Sequence, residues 1–452
     1  MPKENREKIT ARAAAAEVVD QVLQDGAYTN IAVNNFLRRH NLEEQERKFF
    51  TELVYGTIKA AGTVDWYLER CLTRPLSKID RMVLAVLRIS AFQILYLERI
   101  PNSAACNEAV KLTRLYSHEG SAKFVNGVLR GLLRKLDTLA FPEKKIDLAG
   151  YLSLKYSHPR WLVKRWLGQF GEENTEKLCA FNNTPASVCL RVNTLVTNRA
   201  ALMQKLQQAG ADVRASLWSE DGIICDKLPA LGDIMDKLHD SFYVQDESSM
   251  LVGRVVAPQP GENIIDMCSA PGGKTTHIGQ LMHNQGSILA GDIHEHKIKL
   301  IGDNAARLGI SIITPRLLDA TVFVPELEKT ADRVLVDAPC SGLGVLRRRA
   351  EARWRKKKAD LKVFPPLQLQ ILRNAARYVK QDGLLVYSTC TIEPAENHYL
   401  IEQFLEAEPE WQYAGFLHPL DKTMVKELQL LPQKDGTDGF YICALKRKSQ
   451  GE

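Results

Sequence analysis

From about residue 255 to the C-terminus one pattern recurs, strand then turn then helix, and it limits the fold more tightly than any other feature of the chain. "ENIIDMC" reads as a strand and "GGKTTHIGQLM" as a helix, "GSILAGDI" and "KIKLIGDNAARLG" repeat the pair, and "SIITPRLLD", "RVLVDAP" and "GLLVYSTC" add further strands. Each helix supplies the long crossover that a parallel neighbour strand requires, so the expectation is a mainly parallel sheet covered on both faces. Residues 251–452 are therefore predicted to form an α/β doubly wound, Rossmann-like domain. Ligands of such sheets bind beyond the carboxyl ends of the strands, which is where chemistry is to be sought.

A chain of 452 residues is too long for one ordinary core, and two or three domains are expected. Residues 1–144 read as helical throughout. "TARAAAAEVVDQVL" and "DRMVLAVLRISAFQILYL" carry apolar residues at helical spacing, with Asp80 as an N-cap, and a further helix restarts after Pro101 with Asn102 or Ser103 as its cap. "SAKFVNGVLRGLLRKL" completes an all-α bundle. Residues 145–250 mix "YSHPRWLVKRWLGQFG", helical, with the alternating "ASVCLRVNTL", a helix from about Arg199 and short strands in "AGADVRASLWSEDGIICDKL", and predict a small α+β connecting unit.

Hydrophobic residues at 45% and charged residues at 25% describe a soluble globular chain. The start, "MPKENREKIT", has no apolar h-region, and no run is long and apolar enough to span a bilayer, so no membrane association is expected. Nine cysteines without a CxxC pair fit neither a disulfide framework nor a zinc site, which points to the cytoplasm. The oligomeric state is left open, with a monomer the expectation. Net charge is +6, and Arg347–Lys362, "RRRAEARWRKKKADLK", holds nine basic and two acidic residues, more than the whole excess. Such a segment, with Trp354 inside it, suits phosphate neutralisation and stacking on a base.

"DMCSAPGGKTT", Asp266 to Thr276, joins the first sheet strand to its helix. A Walker A loop would need glycine where Cys268 stands, and no GxGxxG is present. What remains is a Gly272–Gly273 turn opening a helix, whose N–H groups can hold an anion. Asp292, Asp319 and Asp337 end the next strands, so that with Asp266 four acids are expected along one rim. Several acids with few phosphate-binding cations favour a ligand with a ribose and net positive or zwitterionic character, and S-adenosylmethionine fits.

Two thiols share that rim. Cys340 follows Asp337 in "VDAPCSG", and Cys390 ends the fifth strand in "VYSTCTIEPAEN". A thiol of pKa about 8.5 is only about 3% ionised at neutral pH, yet its thiolate is a potent nucleophile. Oxygen and nitrogen acceptors attack a sulfonium unaided. Carbon-5 of a pyrimidine does not, until a nucleophile adds at carbon-6; a base must then remove the carbon-5 proton so that the thiol can leave.

The segments "DMCSAPGGKTT", "VLVDAPCSGLG", "LLVYSTCTIEPAEN" and "KDGTDGFYICAL" closely resemble the cytosine-5 RNA methyltransferases of the Nop2/Sun group. "ELVYGTIKAAGTVDWYLERCL", "LRISAFQILYLERIPNSAACNEAVKL" and "FVNGVLRGLLR" resemble an RNA-binding domain related to the NusB antitermination factor. The branch that joins the two parts methylates small-subunit ribosomal RNA. The resemblance implies a NusB-like bundle, a connecting unit and a class I methyltransferase domain. It implies Cys390 as nucleophile, Cys340 as the thiol that helps release product, and Asp337 as contact to both cytosine and cofactor. Cys268, Ser269, Ala270, Pro271, Gly272, Gly273 and Lys274 match the cofactor loop, and Asp292 and Asp319 the ribose- and adenine-side acids. "FYVQDESSM" matches a family segment to which the sequence assigns no chemistry. The family's Arg-Arg-x-Pro-Asp is replaced here by "RRRAE", and losing the proline relaxes the backbone of a loop expected to contact RNA.

Two other functions compete. Methylation of an exocyclic base nitrogen would need no thiol and typically two prolines after its acid, where Ala338 and a single proline stand. A non-catalytic RNA-binding assembly factor would not need both cysteines and all the acids. Among other residues, His294 and His296 are expected to be solvated, Trp161 and Trp166 to pack in a core, and Cys71, Cys106, Cys179, Cys189, Cys225 and Cys443 to be small buried hydrophobes.

Overall fold

The computed structural model describes residues 9–40, 42–229, 234 and 237–448. The extreme ends of the first and last expected domains, 1–8 and 449–452, lie outside the described residues. The chain divides into two compact units, one running to Thr184 with the addition of Leu346–Lys356, the other made of Pro185–Val345 and Lys357 onward.

The first unit is helical: α1 (Ala11–Gln24), α2 (Thr29–Arg39), α3 (Glu44–Glu69), α4 (Arg81–Tyr96), α5 (Asn102–Tyr116), α6 (Glu119–Lys135), α7 (Leu148–Lys155) and α8 (Arg160–Asn183). Local chemistry fixes several starts. Thr10 accepts the N–H of Ala13 at the head of α1, and Asp80 accepts those of Met82 and Val83 at the head of α4. Neither Asn102 nor Ser103 caps α5; Pro101 occupies the cap position, where its fixed φ already suits entry into the helix. Alanines 13 to 16 let α1 approach its neighbours closely, and all four are buried with Val19, Leu53, Val86 and Leu129. Trp166 is fully buried beside His158, as core packing requires.

Leu346–Lys356 lies in sequence between two sheet strands yet packs as part of this helical unit. Here the expectation of an exposed RNA-contact loop is corrected. Ala350 and Glu351 are each 2% exposed, and Glu351 accepts a 2.7 Å hydrogen bond from Thr29 Oγ1. Arg353 is fully buried and donates to the carbonyls of Ser157 (3.0 Å) and Asn182 (3.3 Å) and to Asn183 Oδ1 (2.9 Å). Trp354 donates its indole N–H to Ile58 O at 2.7 Å and packs on the bundle core, so it is not a stacking platform. Side-chain volume and hydrogen bonds available inside the bundle outweigh the hydration of this stretch. Of the cations of the basic run Arg347–Lys362, Arg349, Lys357, Lys358 and Lys362 stay exposed.

In the second unit a small antiparallel sheet has the order β2 (Asp212–Ala215), β3 (Gly222–Lys227), β1 (Val188–Val192), β4 (Phe242–Val244), with α9 (Arg199–Gln208) against it. The larger sheet contains β5 (Asn263–Asp266), β6 (Ser287–Asp292), β7 (Ile313–Leu317), β8 (Ala331–Asp337) and β9 (Val379–Thr389), all parallel, in the order 9-8-5-6-7. Antiparallel β14 (Phe440–Arg447) extends it beyond β9, joined by β10 (Trp411–Tyr413) and β13 (Glu427–Leu430). A separate ribbon pairs β11 (Phe416–Leu417) with β12 (Met424–Val425). Helices Gly273–Leu281, Glu295–Arg307, Phe364–Tyr378 and His398–Ala407 alternate with the parallel strands. Apolar residues such as Val334, Val336, Leu335 and Val386 are completely buried between them, as a two-sided sheet demands. The strand order reverses between β5 and β8, and the carboxyl ends at that point form the cleft of a doubly wound fold. No helix among the described residues is long and apolar enough to cross a membrane.

Candidate active site

β5, β6, β8 and β9 deliver the expected residues to one edge, because parallel neighbours end together. Asp292 ends β6, Asp337 ends β8 and Cys390 follows β9 directly, while Asp319 lies two residues beyond the end of β7. Asp266 ends β5 but does not join the rim: it is fully buried, accepts from Thr275 Oγ1 at 2.7 Å, and burial pushes its carboxyl up to about 7. It braces the turn from beneath.

Asp337 pairs in register with Ser388 and accepts its hydroxyl at 2.9 Å on Oδ1. Oδ2 receives the Lys274 ammonium at 2.8 Å. Burial alone would lower the Lys274 pKa, but the Asp337 carboxylate overrides it and the ammonium is held above its ordinary value. Past this pair the two thiols meet, Cys340 Sγ at 3.4 Å from Cys390 Sγ. The hydrogen bond to Cys390, reinforced by burial, raises the Cys340 pKa well above that of a free thiol.

The loops carrying the thiols are clamped from behind. Glu396 Oε2 accepts the Ser341 N–H (2.8 Å) and the Gln368 side-chain amide (3.0 Å), which also reaches Pro339 O (2.9 Å). Ser341 and Thr391 hydroxyls meet at 2.7 Å, and Gly344 N–H donates to Cys390 O at 3.1 Å. Burial raises the Glu396 pKa. Sequence reasoning marks neither Gln368 nor Glu396, although Glu396 lies inside "TIEPAEN", the stretch that follows the Cys390 thiol.

The glycine turn is equally constrained. Cys268 is half-buried and burial drives its thiol pKa upward, which makes it an unreactive neighbour of the turn. Ser269 N–H and hydroxyl both donate to Gly291 O at 2.8 Å, Ala270–Pro271 is cis, and Asn304 donates to Pro271 O at 2.9 Å. Gly272 has φ +99°, a conformation that excludes most side chains, and precedes helix Gly273–Leu281 without any side-chain cap. A Cβ on Gly273 would stand 3.2 Å from the Tyr243 ring.

These groups fit S-adenosylmethionine. The uncapped helix start offers N–H donors to a carboxylate. Asp292 and Asp319 each use Oδ1 for a local backbone N–H, from His294 and Thr321, both at 2.9 Å. Each Oδ2 is left without a hydrogen-bond partner among the described residues, as an acceptor for ribose hydroxyls or an amine would be.

The family described as "16S rRNA methyltransferase RsmB/F" matches residues 254–446, the NusB family matches residues 9–134, and an RsmF/B-like ferredoxin-like domain matches residues 158–230. A Bacillus subtilis (strain 168) protein named "Probable ribosomal RNA small subunit methyltransferase B" is 38% identical over 452 residues, covering 98% of this chain and 99% of its own. A protein of the same name from Synechocystis is 35% identical, covering 97% of this chain and 100% of its own. The crystal structure of PH0851 superposes with a TM-score of 0.85 at 27% identity, over 98% of this chain and 100% of that one.

Proposed function

The chain belongs to the 16S rRNA methyltransferase RsmB/F family, a family of S-adenosylmethionine-dependent RNA methyltransferases, and on that premise we propose that it methylates carbon-5 of a cytosine in small-subunit ribosomal RNA through a covalent Cys390 adduct. The single observation that carries the proposal is the pair of thiols at 3.4 Å beside the Lys274–Asp337 ion pair. Nitrogen methylation has no use for such a pair, and a purely RNA-binding factor has no use for the clamp that holds it. We also propose a division of labour along the chain, with residues 1–144 and the exposed cation Arg349 holding RNA, 145–250 connecting and recognising RNA, and 251–452 carrying out the chemistry.

S-adenosylmethionine supplies an electrophilic methyl group, and Cys268–Lys274, Asp292 and Asp319 are the residues that would hold it. Cys390, as its thiolate, adds to carbon-6 of the cytosine, and the ring's electron density moves to carbon-5. Asp337 accepts from the exocyclic amine and holds the ring in register with the thiol. Once carbon-5 bears the methyl group it must lose its proton. Cys340, freed from its hydrogen bond once the Cys390 sulfur is bonded to carbon-6, gives up its own proton to solvent and as thiolate takes the carbon-5 proton; the electrons of that C–H bond restore the carbon-5–carbon-6 double bond and expel the Cys390 thiolate. A base stacked in a helix would first be extruded.

The test is a pair of alanine variants. Cys390→Ala abolishes methyl transfer to small-subunit RNA, and Cys340→Ala accumulates a protein–RNA adduct that survives denaturant. Bisulfite sequencing of ribosomal RNA from cells with and without the protein identifies the modified cytosine. Full turnover by Cys390→Ala would falsify the covalent route, and adduct formation by that variant instead of Cys340→Ala would exchange the two roles.

A further inference from the structure

The segment "FYVQDESSM" and β1 meet at one side chain that the mechanism has not used. Arg191, on β1, is fully buried. Its guanidinium donates to Gln245 Oε1 and to the carbonyl of Gly273, and it reaches Thr276 Oγ1 at 2.9 Å. Tyr243 stacks on it with the ring centroid 5.1 Å from Cζ. Tyr243 and Gln245 thus grip Arg191 from β4 and the residue that follows it, and Arg191 grips the first turn of helix Gly273–Leu281.

No carboxylate forms an ion pair with Arg191 among the described residues; Asp221 acts on it only at a distance. Burying a guanidinium without a partner acid is costly, and burial lowers its pKa to about 9, which still leaves it charged at neutral pH. A structural brace alone could be made by an apolar residue of the same volume at less cost. What an apolar residue cannot supply is positive charge behind a helix start whose first N–H groups have no intrahelical acceptor, together with a planar fork that fixes one carbonyl and one hydroxyl of the turn at once.

We propose that Arg191, held by Tyr243 and Gln245, is a positioning residue for the cofactor's carboxylate, setting the geometry and the potential of the Gly272–Lys274 turn without touching the cofactor. The proposal rests on the functional reading above. It gives "FYVQDESSM" its role and makes the small antiparallel sheet part of the cofactor site.

The experiment is calorimetric binding of S-adenosylmethionine and of S-adenosylhomocysteine to the full-length protein without RNA, alongside steady-state kinetics. Arg191→Met is expected to weaken binding of both ligands about 10- to 100-fold, the range seen when an outer-sphere hydrogen-bonding partner is removed. KM for S-adenosylmethionine rises in parallel, while kcat at saturating cofactor and the affinity for RNA stay within about threefold of wild type. Arg191→Lys, which keeps the charge but not the fork, recovers part of the loss. If Arg191→Met does not fold, Gln245→Leu is read in its place, with a smaller loss of cofactor affinity in the same direction. Unchanged ligand affinity in a folded variant, or a kcat loss at unchanged KM, overturns the proposal. Absence of binding by the wild-type protein would instead overturn the reading on which it rests.

Discussion

Replacing Cys390 by alanine should make Cys340 more acidic, and the amount can be worked from the pair. The hydrogen bond to Cys390 is the largest cause of the raised Cys340 pKa, with burial second, the charge of Cys390 third and the Glu396 carboxylate after it. The first and third are removed with the Cys390 sulfur, and burial and Glu396 stay. A hydrogen bond to a charged group is worth about 1.5–3 kcal/mol, and about 1.4 kcal/mol is tenfold in an equilibrium, so the Cys340 midpoint moves down and its thiolate fraction rises about 10- to 100-fold. The S–H group is a weak donor, which favours the lower end. The sign follows from which form the bond stabilises: a thiolate at 390 favours the protonated thiol at 340, so its loss moves the Cys340 midpoint down. At any pH below the midpoint, alkylation of Cys340 should therefore be about 10- to 100-fold faster in the variant. Iodoacetamide labelling from about pH 7 to about pH 10.5, with Cys340 followed by peptide mass spectrometry in wild type and Cys390→Ala, measures it. A midpoint that stays put or rises in the variant would show that the two sulfurs do not share a proton, and the assignment of Cys390 as the ionising partner would lose its electrostatic basis.

Two further outcomes concern stability. Buried His277 donates its Nε2–H to the Asp221 carboxylate at 3.0 Å, and burial lowers its pKa to about 4 from an ordinary 6.5. Between those values the unfolded chain binds a proton that the native state refuses, so stability falls as pH drops from about 6.5 to about 4, by up to about 3 kcal/mol; urea unfolding of wild type and His277→Gln should converge toward the acid end, and parallel curves would refute this. Arg353→Met removes four hydrogen bonds of a charged donor while relieving its burial, a net loss of about 3 kcal/mol that lowers the Tm by about 6–12 °C, and a change under about 2 °C in calorimetry would show the buried guanidinium to be energetically idle.

The chemistry-bearing residues were legible because their signals are local. An acid or a thiol that closes an apolar run can be placed at a strand end from period alone, and Asp292, Asp337 and Cys390 stand there. Asp266 carries the same signal but turns inward to Thr275, a choice made by helix Gly273–Leu281 packing over it and not by its own neighbours in sequence. Charge was the less faithful guide. Arg191 and Arg353 are both fully buried, and the run around Arg353 reads as a solvated basic face until the carbonyls of Ser157 and Asn182, far away in sequence, come to meet it. Composition counts such arginines as surface because burial of a charge is decided by acceptors that only tertiary structure supplies.

The pairing of the thiols is set by the sheet more than by the loops. From Arg333 opposite Leu384 to Asp337 opposite Ser388, β8 and β9 run in unbroken parallel register. Cys340 lies three residues beyond one member of the last pair and Cys390 two beyond the other. A slip of one residue would carry Cys390 about 3.3 Å along the strand and turn its side chain to the opposite face, which separates the sulfurs and takes Ser388 away from Asp337. The register is pinned where it begins: an irregularity between Ala331 and Arg333 absorbs the extra residues of β9, and Gly383 fits there because a Cβ would lie 2.7 Å from the Asp332 carbonyl. A glycine some distance in sequence from either thiol therefore takes part in deciding that they meet.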